Sequence, residues 1–245
     1  MFEIAFVQSD QGFVFAFQSR DDEIDSAIRT LAPEANLVWA QKENESWVEN
    51  YQKSFEPTQI ADFYIHASWH EKRSDLIDIT IDPELVFGTG RHETTASCLE
   101  AIAALDLVGK SAIDIGCGSG ILAIAAAKKG ANVTLCDTDP SAAAAARKNC
   151  EINGVIVRDL WAGSVDKVTT NYDLVIANIV TDVLTALKEE LKAAVKPDGI
   201  LIVSGVLECY EDRLRSAFAG LELLGAIAKN GWRTFIYKNT TERER

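Results

Sequence analysis

The chain has 245 residues, 47% of them apolar, which is enough for one large domain with a buried core and a small module beside it. Its formal charge of −13, from 37 acidic against 24 basic residues, argues against nonspecific nucleic-acid binding, which needs lysine and arginine for the phosphates, and suits a basic protein partner. No run of about 18 apolar residues offers a membrane span, the start MFEIAFVQSDQG lacks signal-peptide features, and five scattered cysteines (98, 117, 136, 150 and 209) form neither a disulfide framework nor a zinc site.

A cytoplasmic protein with reduced thiols, monomeric and independent of membranes, is therefore expected. In chain order, alternation at Phe2 to Val7 and Phe13 to Phe17 predicts two strands, followed by an amphipathic helix from Asp22 to Leu31 and a strand near Asn36 to Ala40. These elements make residues 1–43 a short α+β module. Trp47, Tyr51 and Phe55 recur every four residues, as on one helix face, so residues 44–56 read as a linker helix and 57–245 as the main domain. Phe63 to Ile65 and Leu76 to Ile81 look like strands, and DPELVFGTGRHETT at 82–95 opens a helix that runs to Ala104. Thr94 and Thr95 fall near its first turn, where free backbone donors and hydroxyls can meet a ligand.

From Ser111 onward, strand and helix patterns alternate: a strand to Ile115, a helix to Lys129, a strand from Asn132 to Cys136, and a helix from Ser141 to Ile152. Tyr172 to Ile179 reads as a buried strand, Leu184 to Val195 as a helix, Ile200 to Val206 as a strand, and Tyr210 to Phe218 as a helix. Such alternation predicts a parallel sheet. Leu221 to Ala228 and Arg233 to Tyr237 flank Asn230-Gly231, a hairpin signal, which adds an antiparallel pair at the sheet's end.

The richest motif is DIGCGSG at 114–120, between a strand and an alanine-rich helix. Gly116, Gly118 and Gly120 let the backbone turn tightly beside a ligand at the strand-to-helix junction, where open α/β sheets bind cofactors. A dinucleotide site needs a glycine three residues after Gly118, and that position is Ile121, so NAD and FAD are disfavoured. G-x-G-x-G after an acidic residue, Asp114, resembles the pattern of S-adenosylmethionine enzymes. Seventeen residues beyond Gly120 the next strand runs into Asp137, a carboxylate able to accept both ribose hydroxyls. His66 and His70 lack both an H-E-x-x-H frame and a third ligand, so no metal is expected. The tryptophans at 47, 69, 161 and 232 read as core or interface packing.

Taken together, DPELVFGTGRHETT, DIGCGSGILAIAA, CDTDP, NCEINGV, LVIANI and SGVL resemble the motif series of ribosomal protein methyltransferases of the PrmA type, from about Ser46 onward. The resemblance implies a Rossmann-like class I methyltransferase fold, a mostly parallel seven-stranded sheet with an antiparallel last strand, and S-adenosyl-L-methionine as cofactor. It implies methyl transfer to lysine ε-amines and an N-terminal α-amine of large-subunit ribosomal protein eleven. Thr95, Gly116, Asp137 and Asn178 would contact the cofactor beside Asp114, Gly118 and Gly120, with Phe87, Gly88, Thr89, Gly90 and His92 closing over the site. His92 would brace the 88–91 loop or shuttle protons.

Amine and amide methyltransferases often keep an asparagine where Asn178 stands. It would orient the amine, or else only cap the strand end; Ile179, Val180 and Thr181 replace the usual two prolines and aromatic. Asp182 would cap the helix that follows. The family's N-terminal domain is larger and ferredoxin-like, and residues 1–43 are short for it. Another protein, an RNA or a small molecule therefore stays open as acceptor, as does a non-catalytic, cofactor-binding role in ribosome assembly.

Overall fold

The structure, a computed structural model, describes residues 5–9, 12–16, 30, 56–82 and 92–240. Expectations for the helix at 22–31 (residue 30 apart), the strand at 36–40, the linker helix (residue 56 apart) and Phe87 to Gly90 lie outside them. The chain divides into two compact units, Met1–Glu49 and Asn50–Arg245. In the first, strands β1 (Ala5–Ser9) and β2 (Gly12–Ala16) pair antiparallel with Ser9 opposite Gly12, as the alternating pattern predicts.

The second unit begins with a three-stranded sheet: β3 (Thr58–Ile60) antiparallel to β4 (Phe63–His66), and β4 parallel to β5 (Ile77–Thr80). Helix α1 (Glu93–Ala103) follows, and then the large sheet with its helices. Its strands are β6 (Ser111–Ile115), β7 (Asn132–Asp137), β8 (Val157–Ala162), β9 (Tyr172–Asn178), β10 (Val195–Leu207), β11 (Glu222–Lys229) and β12 (Trp232–Lys238). Their spatial order is β11-β12-β10-β9-β6-β7-β8, parallel except where β12 pairs antiparallel with both β10 and β11. The helices are α2 (Ile121–Lys128), α3 (Pro140–Ile152), α4 (Thr181–Ala186), α5 (Lys188–Ala193) and α6 (Glu211–Ala217).

The middle strands carry helices on both faces and therefore read as apolar runs. Leu174, Val175, Ile176 and Ala177 of β9 are all fully buried. Two apolar clusters result. One gathers β3–β5, α1 and α2, including Phe63, Ile79, Leu99 and Ile124; the other joins β9 and β10 to α4–α6 through Leu184, Leu191, Leu214 and Phe218. The small sheet is tied to the end of α3 by Asn153, whose Oδ1 accepts from Thr80 N–H at 2.9 Å while its Nδ2 donates to Thr80 O at 2.7 Å.

The expected parallel sheet with an antiparallel pair is present, and the turn between β11 and β12 is built on Asn230 and Gly231, both at positive φ. Three local expectations need correction. β3 and β8 went unread: β3 has three residues, and β8 is an edge strand whose exposed Arg158 and Asp159 break its apolar pattern. The single helix expected over 184–195 is two short helices, α4 and α5, meeting at Leu187 (φ −96°, ψ 13°), and Val195 already belongs to β10. Asp182 does not cap; Val180 precedes α4, and Asp182 lies in its first turn, paired with Arg213 at 2.7 Å.

Candidate functional site

β6 and β9 are neighbours although β7 and β8 lie between them in sequence, so the sheet's order reverses there, the point at whose C-terminal side open α/β sheets bind ligands. The glycine turn leaves β6 at this point. It is held to the end of β7 by Gly116 and Cys117, whose N–H groups donate to Cys136 O at 2.9 and 3.1 Å. All three glycines have positive φ. Gly116 is also sterically required: a Cβ there would lie 2.4 Å from Ile179 Cγ2, so the turn packs directly against the residue after Asn178.

Asp114 is 1% exposed. Its Oδ2 accepts from Ala123 N–H in the first turn of α2 at 3.2 Å, where the helix has free donors, and its Oδ1 is buried with no hydrogen-bond partner. Burial pushes this carboxyl up to about 7, against the pull of the Ala123 N–H and with a smaller upward push from the charge of Asp137. Asp137 stands at the end of β7 and shapes the turn: Oδ2 accepts from Gly118 N–H and Oδ1 from Asp139 N–H, both at 2.9 Å. It is half-buried, and each oxygen keeps a second lone pair for a further donor.

Asn178, at the end of β9, donates through Nδ2 to Thr95 Oγ1 at 3.4 Å. Its Oδ1 is buried and has no hydrogen-bond partner. Beside it on β10 stands Ser204, and the next residue, Gly205 (φ +84°), admits no side chain, since a Cβ would meet Ile179 O at 2.4 Å.

Thr94 and Thr95 are buried in the first turn of α1, and His92 caps that helix by accepting Thr94 N–H at Nδ1 (3.3 Å), with the Thr94 hydroxyl 2.8 Å away. The His92 ring meets Trp232 edge-on at 4.9 Å and 72°. His92 thus anchors α1 to β12. Asn230 (2.9 Å to Glu93) and Lys229 (paired with Glu100) tie the same helix to the hairpin.

The described candidates Thr95, Asp114, Gly116, Gly118, Gly120, Asp137, Asn178 and His92 therefore gather where β6, β7 and β9 end and α1 and α2 begin. Sequence reasoning missed Ser204 and Gly205. SGVL contains both but gave them no role, whereas Trp232, expected to pack, does so against His92. Ser204 Oγ lies 2.6 Å from Thr234 Oγ1 and donates to Thr94 O at 3.4 Å, joining β10 to β12 and α1. The thiols around the turn stay neutral, because burial pushes Cys136 and Cys150 up to about 12 and Cys117 further still. His66 is engaged by Asp78 Oδ1 and Ala67 O, each at 2.8 Å, and His70 Nδ1 accepts from Ala67 N–H.

A glycine turn on the first strand of a β11-β12-β10-β9-β6-β7-β8 sheet, a carboxylate closing the second strand and an asparagine closing the fourth define a Rossmann-like class I methyltransferase. The crystal structure of a ribosomal protein L11 methylase from Lactobacillus delbrueckii subsp. bulgaricus superposes with a TM-score of 0.70 at 28% identity, over 75% of this chain and 98% of that one. A methyltransferase from Pyrococcus furiosus shares the fold, with a TM-score of 0.57 at 19% identity, over 81% of this chain and 99% of that one. The family described as ribosomal protein L11 methyltransferase (PrmA) matches residues 7–240, further toward the N-terminus than the motif series reaches.

Two relatives named ribosomal protein L11 methyltransferase are similar over most of their length. That of a Nitratiruptor species is 44% identical over 88% of this chain and 78% of its own, and that of Wolinella succinogenes 43% identical over 93% and 84%. The chain belongs to the ribosomal protein L11 methyltransferase family.

Proposed function

We propose that this protein transfers methyl groups from S-adenosyl-L-methionine to lysine ε-amines and the N-terminal α-amine of ribosomal protein L11, acting in the cytoplasm as a monomer. The observation that carries this reading is the Asn178 amide: Nδ2 is occupied by Thr95 Oγ1, and a buried Oδ1 is left without a partner. A buried acceptor is seldom left unsatisfied without a purpose. An amine N–H arriving from substrate satisfies it.

The reading is of a cofactor with an adenosine and a charged amino acid but no phosphate. Asp137 would accept from the ribose hydroxyls, and the turn from Gly116 to Gly120 would approach the ligand by backbone alone, with Asp114 beneath it and Thr95 and His92 at the rim. When bound, S-adenosylmethionine supplies an electrophilic methyl carbon on a sulfonium. The protein's part is to orient the incoming amine in line with that carbon and to exclude water. Neutral pH lies about three units below the point at which a free lysine loses its proton, so the amine arrives mostly as ammonium and sheds a proton to solvent before attack. Asn178 is a neutral acceptor and aims the remaining lone pair without stabilising the ammonium form, as a carboxylate there would. With the cofactor bound, in-line attack would form the N–C bond as the C–S bond breaks, the electron pair leaving on sulfur.

Residues 1–43 would serve as the substrate-recognition module, 44–56 as a linker and 57–245 as the transferase, a reading supported by the division of the chain near Glu49. The test is incubation of the purified protein with methyl-labelled cofactor and unmethylated ribosomal large-subunit proteins, with label located by peptide mass spectrometry. Label on lysines or the N-terminus of L11 is expected. Label confined to RNA, or cofactor binding with no transfer to any protein, would overturn the assignment.

A further inference from the structure

Resting on the amine reading above, we infer that the acceptor lysine is flanked by apolar residues, and that a patch of Val180, Val183, Leu207 and Tyr210 at the mouth of the site binds them. These four side chains are 64%, 42%, 41% and 44% exposed, whereas Val175, Val203 and Leu184 in the core below are fully buried. They belong to two adjacent strand ends. Val180 follows Asn178 by two residues and accepts Val183 N–H at 3.1 Å; Leu207 ends β10, three residues beyond the Ser204 that lies opposite Asn178. Gly205 packs against Ile179, and Arg213 on α6 pairs with Asp182 on α4, so the two strand ends and their helices hold together as one surface.

Three carboxylates around the patch are paired. Asp182 pairs with Arg213, and Glu208 and Glu211 share Arg233. A purely basic segment would gain little from carboxylates already engaged, while an apolar one would cover side chains that now face water. A lysine substrate has a short reach. Its stem is only four carbons long, so an amine held at Asn178 keeps its own backbone near the rim, and at about 3.3 Å per residue in an extended chain the neighbouring one or two side chains come within reach of the patch. The occupant is thus the apolar flank of the acceptor segment.

The experiment compares the full-length protein with a Val183→Ser/Leu207→Ser variant, using L11 and synthetic peptides around its methylated lysines, each also made with the apolar neighbours of the lysine replaced by serine. KM for unaltered acceptor is expected to rise about tenfold in the variant, a difference of about 1.4 kcal/mol, with kcat and cofactor affinity retained. Serine-flanked peptides should lose about the same factor on the unsubstituted protein and little more on the variant, because the two changes delete one contact. As a control, Ile156→Asp, a residue 92% exposed at the opposite end of the sheet, should leave KM unchanged. Unchanged KM for serine-flanked peptides on the unsubstituted protein overturns the proposal, even if the variant fails to fold. Equal losses on both proteins overturn it too. If the unsubstituted protein methylates no amine at all, the amine reading fails and takes this one with it.

Discussion

Replacing Gly116 by alanine tests whether the cofactor turn and the Asn178 strand end form one packed unit. Two costs follow from the structure. The residue sits at φ +71°, which an L-residue adopts at about 1–2 kcal/mol. The new Cβ would also lie 2.4 Å from Ile179 Cγ2, and overpacking of this kind costs about 1–3 kcal/mol. The sum is about 2–5 kcal/mol, and at about 2–4 °C per kcal/mol for a unit of this size the melting temperature should fall by roughly 4–20 °C. Relief of the clash moves Ile179, so kcat should fall further than stability alone explains.

Thermal unfolding, cofactor titration and steady-state kinetics on Gly116→Ala, Ile179→Ala and the double variant separate the two costs. Ile179→Ala removes the clashing methyl, so the double variant should be more stable than the sum of the single changes requires, leaving only the cost of the positive φ. Additive losses in the double variant, or a Gly116→Ala change below about 0.5 kcal/mol, would refute the reasoning.

Asn178→Ala should lower kcat by about 100-fold, well beyond any change in cofactor affinity, if it aligns the amine as proposed; single-turnover kinetics check this. Asp137→Ala should weaken cofactor binding by about 10- to 100-fold, because it deletes charge-assisted acceptors and leaves Gly118 N–H and Asp139 N–H unpaired, which a binding titration reads. Asp173 would be raised by burial, but hydrogen bonds from Lys196 and from Ser111 hold it well below the usual carboxylate range. Its contribution is complete above the unfolded value near pH 4 and fades as the pH falls through the folded value. Asp173→Asn should therefore cost about 1–2 kcal/mol at pH 7 in urea unfolding and progressively less in acid. Asp114 behaves oppositely: burial raises its folded value to about 7, so the folded state holds the proton longer and stability declines from about pH 4 to 7. Asp114→Asn, which keeps an acceptor for Ala123 N–H, should gain on the unsubstituted protein across that window.

Much of this was readable without coordinates, for physical reasons. Strands buried on both faces appear as unbroken apolar runs, so β6, β7, β9 and β10 announced themselves, while β8, which faces water along one edge, did not. Asp137 and Asn178 were legible because each ends such a run, where α/β sheets present their ligand groups. The contacts that position them were not. His92 meets Trp232, Asn178 meets Thr95 and Ser204 meets Thr234 across tens of residues or more, and no periodicity encodes such pairings. The break at Leu187 carries no proline or glycine to mark it.

The place of β12 has a consequence for how the protein is made. This strand is the last one described, yet it lies inside the sheet, between β10 and β11, and its first residue braces the helix that opens the site. Until it emerges during synthesis, β11 has no partner in the sheet and β10 presents an open edge of unpaired backbone groups. The Thr95 and His92 end of the site likewise lacks its support. Assembly of a working site must therefore wait for nearly the whole transferase unit to be translated, and any nascent chain held short of Trp232 is both inactive and sticky at β10.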